Sequence, residues 1–480
     1  MENLFSKLGV HIPEIVLPAD GIELEKWSVI ACDQYTSQPE YWQKVDEIVG
    51  DAPSTLRLTF PEIYLKEDDK EERIRNINQT MAQYLEQGIL KTQKPGFILV
   101  DRSTPHTPSR KGLIVALDLE CYDYTPGSNA LIRATEGTVL DRIPPRVKIR
   151  ENALIELPHI MVLIDDPGRT VIEPLYEKAA GRFERTESAS AGSEGPGSCG
   201  YRKLYDFELM QGGGQIRGWK IGDADSLSMV ASALRKLADP ATFIEKYRVD
   251  HPLLFAVGDG NHSLASAKAH WENVKATLMA QTAPGGTAAA VPVPDHPARY
   301  ALVEIVNVHD DGLAFEPIHR VLFGIGSNSV LNDMISILGE NKAEFRMLDS
   351  RASMEEACRD AAQSAFHASE QVHLLPFILE GQYGFLRVKS PQSNLAVGTL
   401  QAVLDQLGRK LDHMEVDYIH GDTVVTEIGS QKNCMGFYLP VMSKHELFRT
   451  VILDGVLPRK TFSMGEAEEK RYYLECRKIR

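Results

Sequence analysis

At 480 residues the chain is long enough for two or three hydrophobic cores, and its 43% hydrophobic and 25% charged content is that of an ordinary soluble globular protein. A formal net charge of −15 argues against a nucleic-acid partner, because phosphate backbones are bound mainly through Lys and Arg. The start, "MENLFSKLGVHIPEIVLP", lacks the basic flank and apolar core of a signal peptide, and no apolar run reaches the roughly 18 residues that a membrane span needs.

The six cysteines, Cys32, Cys121, Cys199, Cys358, Cys434 and Cys476, are scattered without a Cys-x-x-Cys pair, so neither a zinc ribbon nor a disulfide framework is indicated. The expected setting is cytoplasmic and thiol-reducing.

In chain order, "VIACDQYTS" ends an apolar run at Asp33, Gln34, Tyr35 and Thr36, which reads as a strand followed by a turn. "KEERIRNINQTMAQYLEQGIL" places Ile74, Ile77, Met81 and Leu85 at helical spacing. "GFILVDRS" and "KGLIVALDLECYDY" read as paired strands. "TEGTVLDRIPPR" sets Glu136, Asp141, Arg142 and Arg146 in a stretch punctuated by Gly and Pro. "ALIELPHIMVLIDDP" reads as one buried strand, and 184–200, rich in Ser, Gly and Glu, as a mobile loop. Gly212–Gly214 between two strand patterns suggest a hairpin turn.

Further on, "PLLFAV" has the length of a buried strand, and Leu264, Ala267, Trp271 and Val274 follow helical spacing. Between them lie Gly258, Asp259, Gly260, Asn261 and His262, with Asn261 or Ser263 as the expected N-cap. A strand, a glycine turn and a helix start together point several backbone N–H groups at one spot, and the helix dipole makes that spot suit an anion. Glycines would let a phosphate come close to the backbone. The same residues are also ordinary turn formers. The stretch is neither a Walker A loop nor a G-x-G-x-x-G fingerprint.

A loop at 281–298 precedes the strand pattern "RYALVEIVNV". "FEPIHRVL" then sets His319 and Arg320 before an apolar pair, a cationic pair able to grip an anion or a carboxylate. Two helices, a hairpin in "QVHLLPFILEGQYGFLRV", a strand in "MEVDYIHG" and a last helix in "KHELFRTVILDG" complete the pattern. The span from Asp412 to Asp422 contains metal-ligand types, with His413, Glu415 and Asp417 on one strand face. An exposed edge-strand face is the plainer interpretation. "LPRKTFSMGEAEEKRYY" puts Arg459, Lys460 and Ser463 together. Few βαβ repeats are evident, so the expected class is α+β, mixed sheets with flanking helices. The expected division is 1–240 and 241–480, the two halves forming one integrated unit.

"VGDGNHSLASAKAHW" resembles the Asp-Gly-(His/Asn)-His signature of the domain-of-unknown-function family 1015. "RATEGTVLDRIPPR", "LYDFELMQGGGQIRGWKI", "FEPIHRVL" and "LPRKTFSMGEAEEKRYYLECRKI" resemble further segments of that family, so the likeness covers nearly the whole chain. The strand–Gly-turn–helix unit is also similar to the phosphate-binding turn of the ParB/sulfiredoxin-like superfamily, which includes free serine kinases. There an Arg usually follows the His; here that place is Ser263, so a guanidinium from elsewhere, such as Arg142 or Arg320, must compensate.

These likenesses imply a protein that binds a phosphate or a nucleotide (ATP or ADP, with Mg²⁺) and transfers a phosphoryl group to or from a small hydroxy compound such as serine. Gly258, Asp259, Gly260, Asn261, His262 and Ser263 would cradle phosphate, with Arg142, His319, Arg320 and Lys460 compensating charge. Asp33 or Glu136 would be base or metal ligand, and His262 would assist catalysis. The alternatives are a non-catalytic nucleotide-responsive module and a metal-dependent hydrolase. Oligomeric state is left open, a homodimer included.

Overall fold

The computed structural model describes residues 4–65, 67–187, 201–282, 295–325, 329–411 and 413–480. Most of the expected loop at 184–200, much of that at 281–298, Cys199 and Asp412 lie outside the described residues. The chain is α+β and divides into two compact units, one built from Met1–Ala314 with Met464–Arg480, the other from Phe315–Ser463. Residue 240, the expected boundary, falls inside the first unit.

The first unit is built on a ten-stranded mixed sheet. Its antiparallel half runs from the hairpin Arg202–Leu209/Gly214–Ile221 through Phe97–Ser103 and Arg110–Asp118 to Tyr300–Asn307. Met161–Ile164 then lies parallel to Tyr300–Asn307, Phe255–Asp259 antiparallel to Met161–Ile164, and Ile132–Ala134 parallel to Phe255–Asp259. Alternation along the strands feeds two cores. Leu99, Leu113, Val115, Val303 and Ile305 enter one, and Ile98, Val100, Ile114 and Leu302 the other. The helix expected from Ile74, Ile77 and Met81 is Lys70–Glu86, with those three residues and Tyr84 buried.

The single strand expected in "ALIELPHIMVLIDDP" is in fact two. Ile155–Glu156 joins a small four-stranded sheet with Cys476–Lys478, whereas Met161–Ile164 joins the large one. Pro158 lacks the N–H a ladder needs, so the chain breaks there and His159 is left between two sheets.

The second unit has a six-stranded antiparallel sheet: Ala343–Leu348, Gln382–Lys389, Val372–Leu379, Cys434–Phe437, His319–Phe323 and Glu415–Ile419, in spatial order. Ser329–Leu338 and Ala396–Lys410 pack one apolar cluster of this unit, and Met354 and Val425 from two other helices pack a second.

Among the described residues no helix is long and apolar enough to cross a membrane.

Candidate functional site

The turn expected between strand and helix is tighter than the sequence suggests. The strand is Phe255–Asp259 and the helix Asn261–Thr282, so Gly260 alone joins them. Gly260 has φ +77° and accepts from Leu264 N–H at 3.0 Å, which makes it the N-cap in place of Asn261 or Ser263. Gly258 lies where the register with Met161–Ile164 slips, a β-bulge. A Cβ on Gly258 would stand 2.4 Å from Met464 Sδ, so this glycine makes room for packing, not for a phosphate.

Asn261, 8% exposed, works as a clamp. Its amide donates to Val257 O at 3.3 Å, and its Oδ1 accepts from Thr135 N–H at 3.3 Å. His262 Nε2 accepts from Val139 N–H at 3.2 Å. Together these side chains dock the 135–139 segment, and with it Glu136, against the helix start. Asp259 accepts from Gly260 N–H at 2.9 Å and faces Lys470 Nζ at 3.3 Å. What remains for an anion is the helix start itself, where first-turn amides lie beyond the reach of the helix's own carbonyls and the dipole favours negative charge.

Beside Ser263 opens a cavity of about 160 Å³. Its lining combines apolar Leu58, Phe60, Met81, Ile149 and Ile160 with polar Glu62, Arg146, His159, Ser263 and Ser266. His159 is 6% exposed, and three groups surround its ring. Its Nδ1 is 2.9 Å from Tyr473 Oη, its Nε2 is 3.2 Å from Ser263 Oγ, and Asp33 Oδ2 lies 3.6 Å from Nε2. Asp33 is presented by the turn after Ile30, which is fastened to the C-terminal segment: Ala31 N–H donates to Arg471 O at 2.9 Å and Cys32 N–H to Tyr473 Oη at 3.2 Å.

Glu62 forms an ion pair with Arg146. Burial raises the Glu62 carboxyl above its ordinary range against the pull of Arg146, and Asp33 adds to the rise. Burial likewise pushes the Cys32 thiol far up, so this cavity-wall cysteine stays a thiol.

Arg142, the expected phosphate partner, is exposed at the start of the helix Ile143–Glu151 and gives its carbonyl to Arg146. The guanidinium on the cavity wall is that of Arg146, one helical turn later. His319, Arg320 and Lys460 belong to the second unit. There the fully buried Arg320 donates to the carbonyls of Ile318, Lys460 and Arg459, while His319 Nε2 lies 2.9 Å from Asp422. The Lys460 side chain is exposed.

Among the described residues no group of three or more His, Cys, Asp or Glu side chains is arranged to hold a metal. Asp33 and Glu136 belong to no such group. Nor do the residues of the His413–Asp422 span, where Glu415 and Asp417 are exposed on a strand and Asp422 pairs with His319 and Arg351.

Sequence reasoning missed Glu62, His159, Lys470 and Tyr473 as site residues. The one local signal was the Pro-His break inside the apolar run at 158–159.

No curated protein matches the chain. Similar solved structures include a free serine kinase mutant in complex with ADP, at 10% identity over 76% of this chain and 92% of that one, with a TM-score of 0.37. Another is a C-terminally truncated SbnI from Staphylococcus aureus, at 8% identity over 73% and 82%, with a TM-score of 0.33. A conserved hypothetical protein from Pyrococcus furiosus matches at 14% identity over 46% and 71%, with a TM-score of 0.27. At these scores the likenesses carry no argument about this chain. The family model matching residues 16–412 is another matter: the chain belongs to the family described as protein of unknown function (DUF1015).

Proposed function

We propose that the first unit binds a phosphorylated small molecule or a nucleotide at the start of the helix Asn261–Thr282 and transfers a phosphoryl group to or from a small hydroxy compound. The observation that carries this reading is the meeting of a helix start, its first-turn amides and Ser263, with a cavity walled by Arg146, His159 and Glu62. Phosphoryl transfer is mostly positioning and charge neutralisation, which such a set can supply.

At about 160 Å³ the cavity is below the 300–1,000 Å³ typical of pockets for drug-sized ligands. In this reading it holds the small hydroxy compound, while the phosphates lie at the helix start. Glu62 or Asp33 takes the hydroxyl proton; burial raises the Glu62 carboxyl, which strengthens it as a proton acceptor. Mg²⁺, where used, would come with the nucleotide, since it is commonly held by one or two carboxylates plus substrate phosphates.

A thermal-shift screen with ATP, ADP, CTP, inorganic phosphate and phosphoserine, each with and without Mg²⁺, tests the reading. A ligand at 100 times its Kd stabilises by about 2.7 kcal/mol. A shift that disappears in Ser263→Ala supports the site; no shift with any of the five sinks it.

A further inference from the structure

The trio Ser263, His159 and Asp33 has the residue types of a nucleophile, a base and a carboxylate, and invites a hydrolase reading. The hydrogen bonds around His159 argue otherwise. Tyr473 Oη already accepts from Cys32 N–H at 3.2 Å, and burial holds its hydroxyl proton on the oxygen. That proton has two neighbours, the Cys32 thiol and His159 Nδ1 at 2.9 Å. Sulfur accepts weakly, so the imidazole nitrogen takes the bond.

The other side of the ring agrees. A bare Nε2 lone pair would face the Asp33 carboxylate at 3.6 Å, whereas an Nε2–H would be attracted to it. Ser263 Oγ, 3.2 Å from Nε2, accepts as readily as it donates.

Building on the phosphate-site reading above, we infer that Tyr473 is a positioning residue: it fixes His159 as the Nε2–H tautomer, so that the imidazole offers the anion a hydrogen-bond donor and does not act as a base on Ser263. The phosphate subsite then comprises the first-turn amides, Ser263 Oγ and His159 Nε2–H. His159 supplies part of the donation that an arginine after the turn histidine would otherwise give, and Ser263 is a ligand, not a nucleophile. The second nitrogen of a histidine commonly sets its tautomer through the bond it makes.

Nitrogen NMR of the full chain labelled at histidine, followed over a pH series, reads the tautomer of the neutral ring directly. His159→Gln assigns the signal. The expected result is a protonated Nε2 in the wild type, with the Nδ1–H form emerging in Tyr473→Phe. Inorganic phosphate, titrated calorimetrically, should bind roughly tenfold more weakly to Tyr473→Phe and to His159→Ala. His159→Gln, whose amide can donate but cannot act as a base, should bind it almost as the wild type does. An Nδ1–H wild type overturns the inference whatever phosphate does, and so does a tautomer unchanged in Tyr473→Phe. Wild-type protein that shows Nε2–H yet ignores phosphate overturns it through the site reading instead, and the two failures are read on different instruments. Should Tyr473→Phe not fold, the wild-type tautomer and the His159→Gln titration still decide.

Discussion

Two histidine-centred stretches look alike in the sequence, "GDGNHS" in the first unit and "EPIHRVL" in the second, and the structure treats them differently. In the first, Ser263 and the helix start face a cavity, and the neighbouring His159, Arg146 and Glu62 are brought to its wall by other segments. In the second, the stronger cation is consumed: Arg320 is fully buried and donates to three backbone carbonyls, two of them from Arg459 and Lys460. Charge type alone therefore does not distinguish a ligand group from a structural one. What distinguishes them is whether backbone acceptors already surround the cation.

The largest expected effect comes from breaking what holds the first stretch in place. Arg471 lies buried between Glu304 and Glu475 and passes its carbonyl to Ala31, one residue from the Tyr473 anchor of Cys32. Arg471→Met takes the guanidinium from two buried carboxylates, leaving Glu304 with Arg110 at 4.0 Å and Glu475 with the Tyr205 hydroxyl. Removing one partner of such a group costs about 3–5 kcal/mol. Urea unfolding should show that loss, and phosphate binding should weaken with it. A loss below about 1 kcal/mol would mean that water reaches the network.

Arg320→Ala breaks the second stretch. Three carbonyls lose their donor, for a loss of about 1–3 kcal/mol each where no water replaces it. Ligand-induced stabilisation should be unchanged, because the guanidinium serves its own unit. A lost ligand response without lost stability would reverse the comparison and return Arg320 to the phosphate site.

Acid should weaken both units by the same physics. Burial lowers the His270 pKa to about 4 and lowers that of His319 too, although Asp422 opposes the shift at His319. A histidine depressed in the folded state binds its proton more readily when unfolded, so stability rises with pH across the window between the two values. For His270 that window runs from about 4 to 6.5, and the stability present above it is lost on acidification. His270→Gln should flatten the dependence of urea midpoint on pH between those limits. An unchanged slope would place the titration elsewhere.

Periodic patterns made much of the fold legible. Lys70–Glu86, the hairpin Val372–Leu379/Gln382–Lys389 and the paired strands Phe97–Ser103 and Arg110–Asp118 all follow from local spacing. The turn at Gly260 was legible as a strand, a glycine and a helix. The roles inside it were not, because they depend on distant chain. Gly258 is small on account of Met464, Asn261 reaches back to Thr135, and Tyr473 meets a histidine 314 positions away. No local pattern encodes such meetings. "ALIELPHIMVLIDDP" misled for the opposite reason: its apolarity is continuous, but Pro158 divides it between two sheets.

The smallest expected effect is the sharpest test of how the site was assembled. Arg142 and Arg146 are one helical turn apart and equally eligible by sequence, yet Arg142 is exposed and Arg146 lies on the cavity wall against Glu62. Arg142→Ala, an exposed change away from any buried feature, should alter stability by no more than about 0.5 kcal/mol and leave phosphate affinity untouched. Arg146→Ala removes the cation that opposes the burial of Glu62, so the Glu62 carboxyl should rise further and the site should lose roughly tenfold in phosphate affinity. Equal affinities for the two variants would mean that Arg146 does not touch the anion. Binding at the helix start would then rest on the backbone amides, Ser263 and His159.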